Sequence, residues 1–150
     1  MAATAWAFFN QAKKKLGLNT GGIRLDAGIF KLSLHTSASK SASLDATLST
    51  FGSIGGEIAA AGGYAAGGRN LASVVWTING ASVKWDTADL VFTASGANLS
   101  NIKFAVIHYS TAAASGPVLC WSRLSTSQFS VTSTNTLTIQ MANAGVFTLT

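Results

Sequence analysis

The side chains that could perform acid–base chemistry are few in this chain of 150 residues. Its five carboxylates are spread along the sequence, and only Asp86 and Asp89 lie close together. Paired catalytic acids usually lie in a pocket rich in other acidic and aromatic residues, and this chain has few of either. The spacing of Asp86 and Asp89 fits a turn in which each carboxylate accepts a backbone amide hydrogen bond. We therefore predict turn capping here, and a pair of distant carboxylates is the alternative.

The residues that could bind a metal or act as a nucleophile are His35, His108 and Cys120. A zinc site would need both histidines together with Cys120 or carboxylates. If the strands that hold His108 and Cys120 pair through the loop between them, these two side chains point to opposite faces of the sheet. Cys120 lies in an apolar run, and no Gly-x-Ser-x-Gly motif occurs. The sequence therefore predicts no metal, no cofactor and no enzymatic activity.

A glycine-rich block over residues 55–71 resembles a phosphate-binding loop only in part. Gly63 and Gly68 have the separation of the two glycines of such a loop, but Arg69 and Asn70 stand where Lys and Ser or Thr must follow. We expect these glycines to allow bulges and close strand approach in a tight crossing between sheets. The glycines assigned to this role are Gly62, Gly63, Gly67 and Gly68.

Three tryptophans could form an aromatic platform for sugar rings: Trp76, Trp85 and Trp121. Tryptophan in a β-sandwich more commonly belongs to the core. A carbohydrate-binding or receptor-binding module is therefore an alternative function for the chain.

The composition points to a protein that works through its surface. Hydrophobic residues make up 48% of the chain and charged residues only 10%, against about 25% charged residues in typical soluble domains. Such a surface favours partial coverage by copies of the chain or by a partner. We therefore expect a homo-oligomer, either a dimer or a trimer, and a neutral surface coated with Ser and Thr is the alternative.

The net charge of +5 is concentrated in one local patch, where Lys13, Lys14 and Lys15 are consecutive. The other basic residues are scattered and are not interleaved with aromatic residues, so we expect no binding to nucleic acid. The patch is suited to an acidic protein surface. No stretch of about 20 apolar residues occurs, which predicts neither a membrane span nor a signal peptide.

The amino-terminal region, residues 1–17, predicts a helix over Ala5 to Leu16. Thr4 is the expected cap, and Gly17 ends the pattern. The helix either covers one end of the sandwich or projects its aromatic residues into a neighbouring subunit.

The next segments divide into a strand and a long loop. Residues 23–35 are extended, with an alternation that predicts one buried face and one solvated face. Residues 36–53 are rich in Ser, Ala and Thr and predict a long loop, with a helical turn near Leu44 to Leu48. Long loops on β domains commonly contact partners.

Short alternating runs fill the remainder of the chain. The strongest hairpin signal is Asn79-Gly80, which predicts a type I′ turn with both residues at its centre. About eight to ten short strands at regular spacing are typical of a sandwich or a jelly roll. We therefore predict an all-β, single-domain antiparallel β-sandwich or jelly roll over residues 1–150, with a short amino-terminal α-helix.

Three segments together resemble a group of small structural proteins of tailed bacteriophages. They are the Tyr-x-x-Gly-Gly-x-x-Leu element at residues 64–71, the acidic turn and strand at 85–92, and the strand at 104–109. The resemblance covers about residues 23–125 and extends to Phe9-Asn10 and the lysines that follow. His108 before Tyr109 departs from the pattern of the group.

This resemblance implies a virion protein that is assembled in the host cytoplasm. The implied role is a capsid cement or decoration protein, or an accessory subunit of the tail, so its partners would be the major capsid protein or a tail protein. Many weak contacts add on a symmetric lattice, so such a protein can bridge neighbouring subunits. The residues expected at these interfaces are Trp6, Phe8, Phe9, Lys13, Lys14, Lys15, Leu44, Leu48 and Phe51.

Overall fold

The computed structural model describes residues 3–18, 23–41, 48–110 and 116–150. Within these ranges the chain folds as an all-β, sandwich-like domain, as predicted, with two short helices. The helices are α1 (Asn10–Leu16) and α2 (Phe51–Ile54). The strands are β1 (Ala7–Phe8), β2 (Phe30–His35), β3 (Arg69–Asn70), β4 (Val75–Asn79), β5 (Ser82–Asp86), β6 (Leu90–Thr93), β7 (Leu99–Ile102), β8 (Phe104–Tyr109), β9 (Val118–Arg123), β10 (Phe129–Val131), β11 (Thr136–Ile139) and β12 (Phe147–Leu149).

Every strand pair in the described residues is antiparallel. A five-stranded sheet has the order β1-β9-β8-β2-β3, and a three-stranded sheet has the order β12-β5-β4. Two further pairs, β10-β7 and β11-β6, complete the set. No helix of the described residues is long and apolar enough to span a membrane.

The core forms where the three-stranded sheet packs against one face of the five-stranded sheet. Phe30 of β2 contacts Trp85 of β5 edge to face, with ring centroids 5.0 Å apart. Trp85 also stacks on Phe147 of β12 at 5.4 Å, and Phe147 meets Phe8 of β1 at 4.4 Å. These aromatic contacts join both sheets, because aromatic rings bury large areas and prefer offset or edge-to-face packing.

The predicted solvated face of the segment 23–35 is buried, and this prediction was wrong. Ser33 and His35 have exposures of 0% and 1%. The aromatic ring of Phe51 in α2 lies over this face, 5.8 Å from the ring of His35. The long loop predicted over residues 36–53 is thus interrupted by the start of α2, and its predicted helical turn falls mainly on residues 42–47, outside the described residues.

The amino-terminal helix is shorter than predicted. Residues Ala7 and Phe8 are not helical but pair with Trp121 and Cys120 as strand β1. Thr4 does not cap the helix, because Phe9 holds the N-cap position and the Thr4 hydroxyl accepts from the backbone amide of Arg123 at 3.0 Å. The extended edge of β9 offers this segment backbone hydrogen bonds that a helix would forgo, so α1 begins only at Asn10.

The hairpin between β4 and β5 is present, but its turn lies one residue further along than predicted. Asn79 pairs with Ser82, which places Gly80 and Ala81 at the centre of the turn. Only Gly80 has a positive φ, of 62°, and a glycine at the first central position is the mark of a type II′ turn. The shift moves every cross-strand partner by two residues, so the faces are preserved and Trp76 lies directly opposite Trp85.

Candidate interaction surfaces

A buried polar cluster lies on the face of the five-stranded sheet that α2 covers. Ser33 and His35 alternate on β2, and Ser33 Oγ lies 2.9 Å from His35 Nε2. His35 Nδ1 lies 2.9 Å from the carbonyl oxygen of Gly55. Because a carbonyl only accepts, Nδ1 carries the proton, and Nε2 accepts from the Ser33 hydroxyl. Burial lowers the pKa of His35 to about 4, which keeps the ring neutral.

The Ser33–His35 pair has the geometry of an activated hydroxyl, and the sequence reasoning missed it. The signal was the Ser-x-His spacing, which places both side chains on one face of a strand. Exposures of 0% and 1% leave no path for a substrate to the Ser33 hydroxyl in this fold. The pair therefore satisfies its own buried polar atoms and holds Gly55 against the sheet.

His108 lies on the same face, with Phe51 stacked on its ring at 4.1 Å between centroids. Its Nδ1 is buried and has no hydrogen-bond partner among the described residues. Burial, together with repulsion from His35 when that ring is protonated and from Lys31, lowers the pKa of His108 to about 4. A cavity of about 450 Å³ adjoins this ring and is also lined by Phe51, Lys31 and Glu57.

No metal cluster of three or more His, Cys, Asp or Glu side chains forms within residues 3–18, 23–41, 48–110 and 116–150. Ile107 pairs with Cys120, so His108 and Cys120 point to opposite faces, as the sequence predicted. Burial raises the pKa of the Cys120 thiol well above its usual range, which disfavours the reactive thiolate.

Both neighbouring carboxylates accept from backbone amides, but only Asp86 caps an amide of the predicted turn. Asp86 Oδ1 accepts from the amide of Thr87 at 2.9 Å, and Asp89 Oδ1 accepts from the amide of Met141 at 2.8 Å. Asp86 also forms an ion pair with Lys84 at 2.9 Å.

The glycine block fastens the chain to the five-stranded sheet. Gly62, Gly63, Gly67 and Gly68 all have positive φ angles, but Gly62, Gly63 and Gly67 lie in turns and not in the predicted bulges. A Cβ on Gly68 would lie 2.1 Å from the carbonyl oxygen of Leu32, so the predicted close approach to a strand is confirmed. Glu57 ties the block together, because its Oε1 accepts from the Tyr64 hydroxyl at 2.6 Å and from the Gly67 amide at 2.7 Å. Burial raises the pKa of Tyr64, so its hydroxyl keeps the proton that it donates.

The residues predicted at an amino-terminal interface do not share one surface. Phe9 is 0% exposed and belongs to the core, and Phe8 packs on Phe147. Trp6 is half-buried, and Lys13 and Lys14 are exposed in the last turn of α1. Of the predicted set here, Trp6 and the lysines are the side chains that a partner could reach.

The residues predicted at a loop interface also act mainly inside the fold. Leu48 is 2% exposed, and Phe51 is half-buried between the two histidine rings. Leu44 lies outside the described residues. Leu48 therefore belongs to the core and Phe51 covers the buried polar cluster, so no partner is needed to explain their apolar character.

The three tryptophans do not form a platform for sugar rings. Trp85 is 0% exposed at the centre of the core. Trp76 lies beside it on β4, whereas Trp121 lies on β9 in the other sheet. The face that these rings were expected to present is therefore divided between the interior and two separate sheets.

An exposed apolar row runs across the three-stranded sheet, and sequence reasoning missed it. Ile78 of β4 pairs with Val83 of β5, and Val83 pairs with Leu149 of β12. Ile78 is 78% exposed and Leu149 is 49% exposed. The row lies on the same face as Trp76, Trp85 and Phe147 but beyond the edge of the core. The alternating pattern predicted which side chains share a face of the sheet. It did not predict how far along each strand that face is covered by the core.

A groove of about 830 Å³ separates the amino-terminal segment from β11. Ala3 to Trp6 line one side of the groove, and Leu137 to Asn143 line the other.

Comparisons with protein-family models, with curated protein sequences and with solved structures find no match to this chain. The function must therefore be argued from the row, the groove and the basic patch.

Proposed function

We propose that this chain is a non-enzymatic structural protein of a tailed-phage virion, and that it acts as a capsid cement protein bridging neighbouring shell subunits. The alternative role within the virion is that of an accessory subunit of the tail. The observation that carries the proposal is the apolar row of Ile78, Val83 and Leu149, in which Ile78 and Leu149 are exposed and Val83 is half-buried. A large apolar group left in water at a sheet edge commonly marks a contact surface.

The edge strand β4 supports self-association. Its residues Val75 to Asn79 include no charge and no proline, the two devices that most often protect an exposed edge. β4 is the last strand of its sheet, so its outer backbone groups have no strand neighbour in the described part of the chain. Two copies can pair antiparallel about Thr77, which places Trp76 of one copy opposite Ile78 of the other. The apolar face then continues across the two-fold axis.

Bridging also requires a contact with the shell, and the basic patch of α1 supplies one. Lys13 and Lys14 are exposed in its last turn, where the helix dipole favours cations. An acidic surface of a shell subunit would attract this patch. A dimer presents the patch twice, and two weak contacts on a lattice act as one stronger attachment.

Self-association is tested by light scattering of the purified chain at micromolar concentrations. We expect a dimer for the wild type and at least a tenfold weaker dimer for Ile78→Lys, because the new charge would be buried at the paired edge. The matched control is Ile29→Lys, since Ile29 is 61% exposed and lies outside the three-stranded sheet. A monomeric wild type, or equal weakening by both variants, would contradict pairing through β4.

The virion role is tested with empty shells of the phage that encodes the chain. We expect the added protein to raise the temperature at which shells open, and the Lys13→Glu, Lys14→Glu variant to lose both binding and this effect. The control changes the charge equally at exposed positions, with Arg24→Glu and Lys40→Glu. Deletion of residues 1–16 is unsuitable, because it removes the buried Phe9. Shells that open at an unchanged temperature with bound wild-type protein would contradict the cement role.

A further inference from the structure

The groove beside β11 is bounded by two lengths of backbone and not by two sheet faces. A strand that presents its face to a cavity contributes every second residue, because successive side chains point to opposite sides. Here Leu137 to Asn143 line the groove consecutively, and so do Ala3 to Trp6 on the other side. Consecutive lining indicates that both segments turn their edges towards the groove.

Both edges lack a strand neighbour on the groove side. β11 pairs only with β6, through the register of Thr136 with Thr93 to Ile139 with Leu90. β1 is the last strand of the five-stranded sheet, and Thr4 ahead of it bonds to β9 through Arg123. Half of the backbone N–H and C=O groups of an edge strand point away from its partner. The part of the chain that the structure describes therefore leaves the outer groups of β11 unpaired by any strand.

The side chains of the groove select the chemistry of an occupant. Trp6, Phe129 and Met141 are half-buried, so each packs partly on the core and turns its remaining surface to the groove. Asp89 is the one charged residue among those that line it. Its Oδ1 accepts from the Met141 amide, and it has no ion-pair partner among the described residues.

We propose that this groove accepts an extended segment of another polypeptide, which adds as a strand to the free edge of β11. The segment carries apolar side chains at alternate positions, which contact Trp6 and Phe129, and a basic residue that faces Asp89. Main-chain hydrogen bonds supply affinity in this mode, and the alternate side chains supply specificity. The site is separate from β4 and from the basic patch, so it stands whether or not the chain bridges a shell.

The probe is the peptide acetyl-Arg-Val-Thr-Val-Thr-Val-Arg-amide, titrated into isotopically labelled protein and followed by amide chemical shifts. Strand β11 is about 13 Å long at about 3.3 Å per residue, so seven extended residues cover it. We expect shifts confined to the amides of Leu137 to Asn143 and of Thr4 to Trp6. A peptide that is N-methylated at its central valine and at both threonines keeps the side chains but loses strand pairing, and we expect it to bind at least tenfold more weakly.

Two protein variants test the contribution of the Asp89 charge apart from strand pairing at β11. Asp89→Asn keeps an oxygen for the Met141 amide but removes the charge, and we expect it to weaken the peptide about two- to fivefold. A peptide with Glu in place of both Arg residues should lose this dependence on Asp89. Ile78→Lys changes a distant surface and should leave peptide affinity unchanged.

Three outcomes would overturn the proposal. The first is the absence of shifts at millimolar peptide, and the second is equal binding of the N-methylated peptide. The third is the same pattern of shifts with maltoheptaose but not with the peptide, which would assign the groove to a sugar chain stacked on Trp6 and Phe129.

Discussion

The five-stranded and three-stranded sheets bury their strands to very different extents. In β8 five of the six residues are buried, and β2 has the same number. In β4 four of the five residues are exposed. The first sheet is covered on one face by the three-stranded sheet and on the other by Phe51 of α2 and by Gly55, the start of the glycine block. The three-stranded sheet is covered by the five-stranded sheet on one face only. On that face the core contacts are made by Trp85 and Phe147, and Ile78 lies beyond them.

This difference separates two kinds of residue that a sequence pattern treats alike. Polar side chains on the doubly covered sheet are shielded from water, so an unpaired polar atom there is costly. His35 is paired with Ser33 and Gly55, whereas His108 Nδ1 has no partner among the described residues. Apolar side chains on the singly covered sheet remain in water when they lie beyond the core, as Ile78 does. Buried polar groups therefore report on the fold, whereas exposed apolar groups show where the core ends.

The largest expected effect on stability compares Trp85, in the core of the three-stranded sheet, with Ile78, in its exposed apolar row. Trp85→Ala removes a fully buried ring that packs on Phe30 and Phe147 and leaves the Leu25 carbonyl without its donor. We expect the free energy of unfolding in urea to fall by about 3–5 kcal/mol. Ile78→Ala should change it by less than about 0.5 kcal/mol, since the side chain is 78% exposed. Similar losses for the two variants, measured in dilute protein, would remove the distinction between the rows.

The second expected effect is a loss of stability in acid, caused by the two histidines on the covered face of the five-stranded sheet. The pKa values of His35 and His108 are lowered to about 4, against about 6.5 in the unfolded chain. The unfolded chain therefore binds protons first, so stability is complete above pH 6.5 and falls as the pH decreases to 4. A full shift of this size corresponds to about 3 kcal/mol for each histidine.

His108→Phe isolates one of these titrations, because the phenyl ring keeps the stacking on Phe51 and removes the unpartnered Nδ1. We expect the acid-dependent loss of stability to fall by about half, with little change at pH 7, in urea unfolding across this pH range. The comparison variant His35→Phe should lose stability at every pH, since it breaks the bonds to Ser33 and Gly55. Full acid dependence in His108→Phe would show that this ring does not titrate as described.

The smallest effect compares a glycine of each sheet. Gly68→Ala places a Cβ 2.1 Å from the Leu32 carbonyl oxygen, whereas Gly80→Ala has no atom within 4 Å. Both positions have positive φ, which costs alanine about 1–2 kcal/mol. We expect Gly68→Ala to lower the unfolding free energy by about 1–2 kcal/mol more than Gly80→Ala, because backbone must move. Equal thermal midpoints for the two variants would contradict the close approach of the block to β2.

The sequence by itself determined the all-β class, most of the strands and the local chemistry of the turns. Alternation fixes which residues of a strand share a face, and the hairpin survived a one-residue error in its turn because the faces repeat every two residues. The positive φ of the glycines at 62, 63, 67 and 68 and the capping of the Thr87 amide by Asp86 are also local, so they could be read from residue types. The Asp89 contact with the Met141 amide joins residues 52 positions apart, so it depends on the tertiary structure.

Tertiary structure alone decided what covers each face. The apparent solvated face of β2 is buried because Phe51 of α2 and Gly55, which follow β2 in the chain, fold back over it. The segment at Ala7 and Phe8 became a strand because the edge of β9 was available, which overrode its helical pattern. The groove and the apolar row depend on which strand edges and sheet ends remain unpaired. Periodicity is a property of neighbouring residues, whereas coverage depends on packing between residues far apart in the chain.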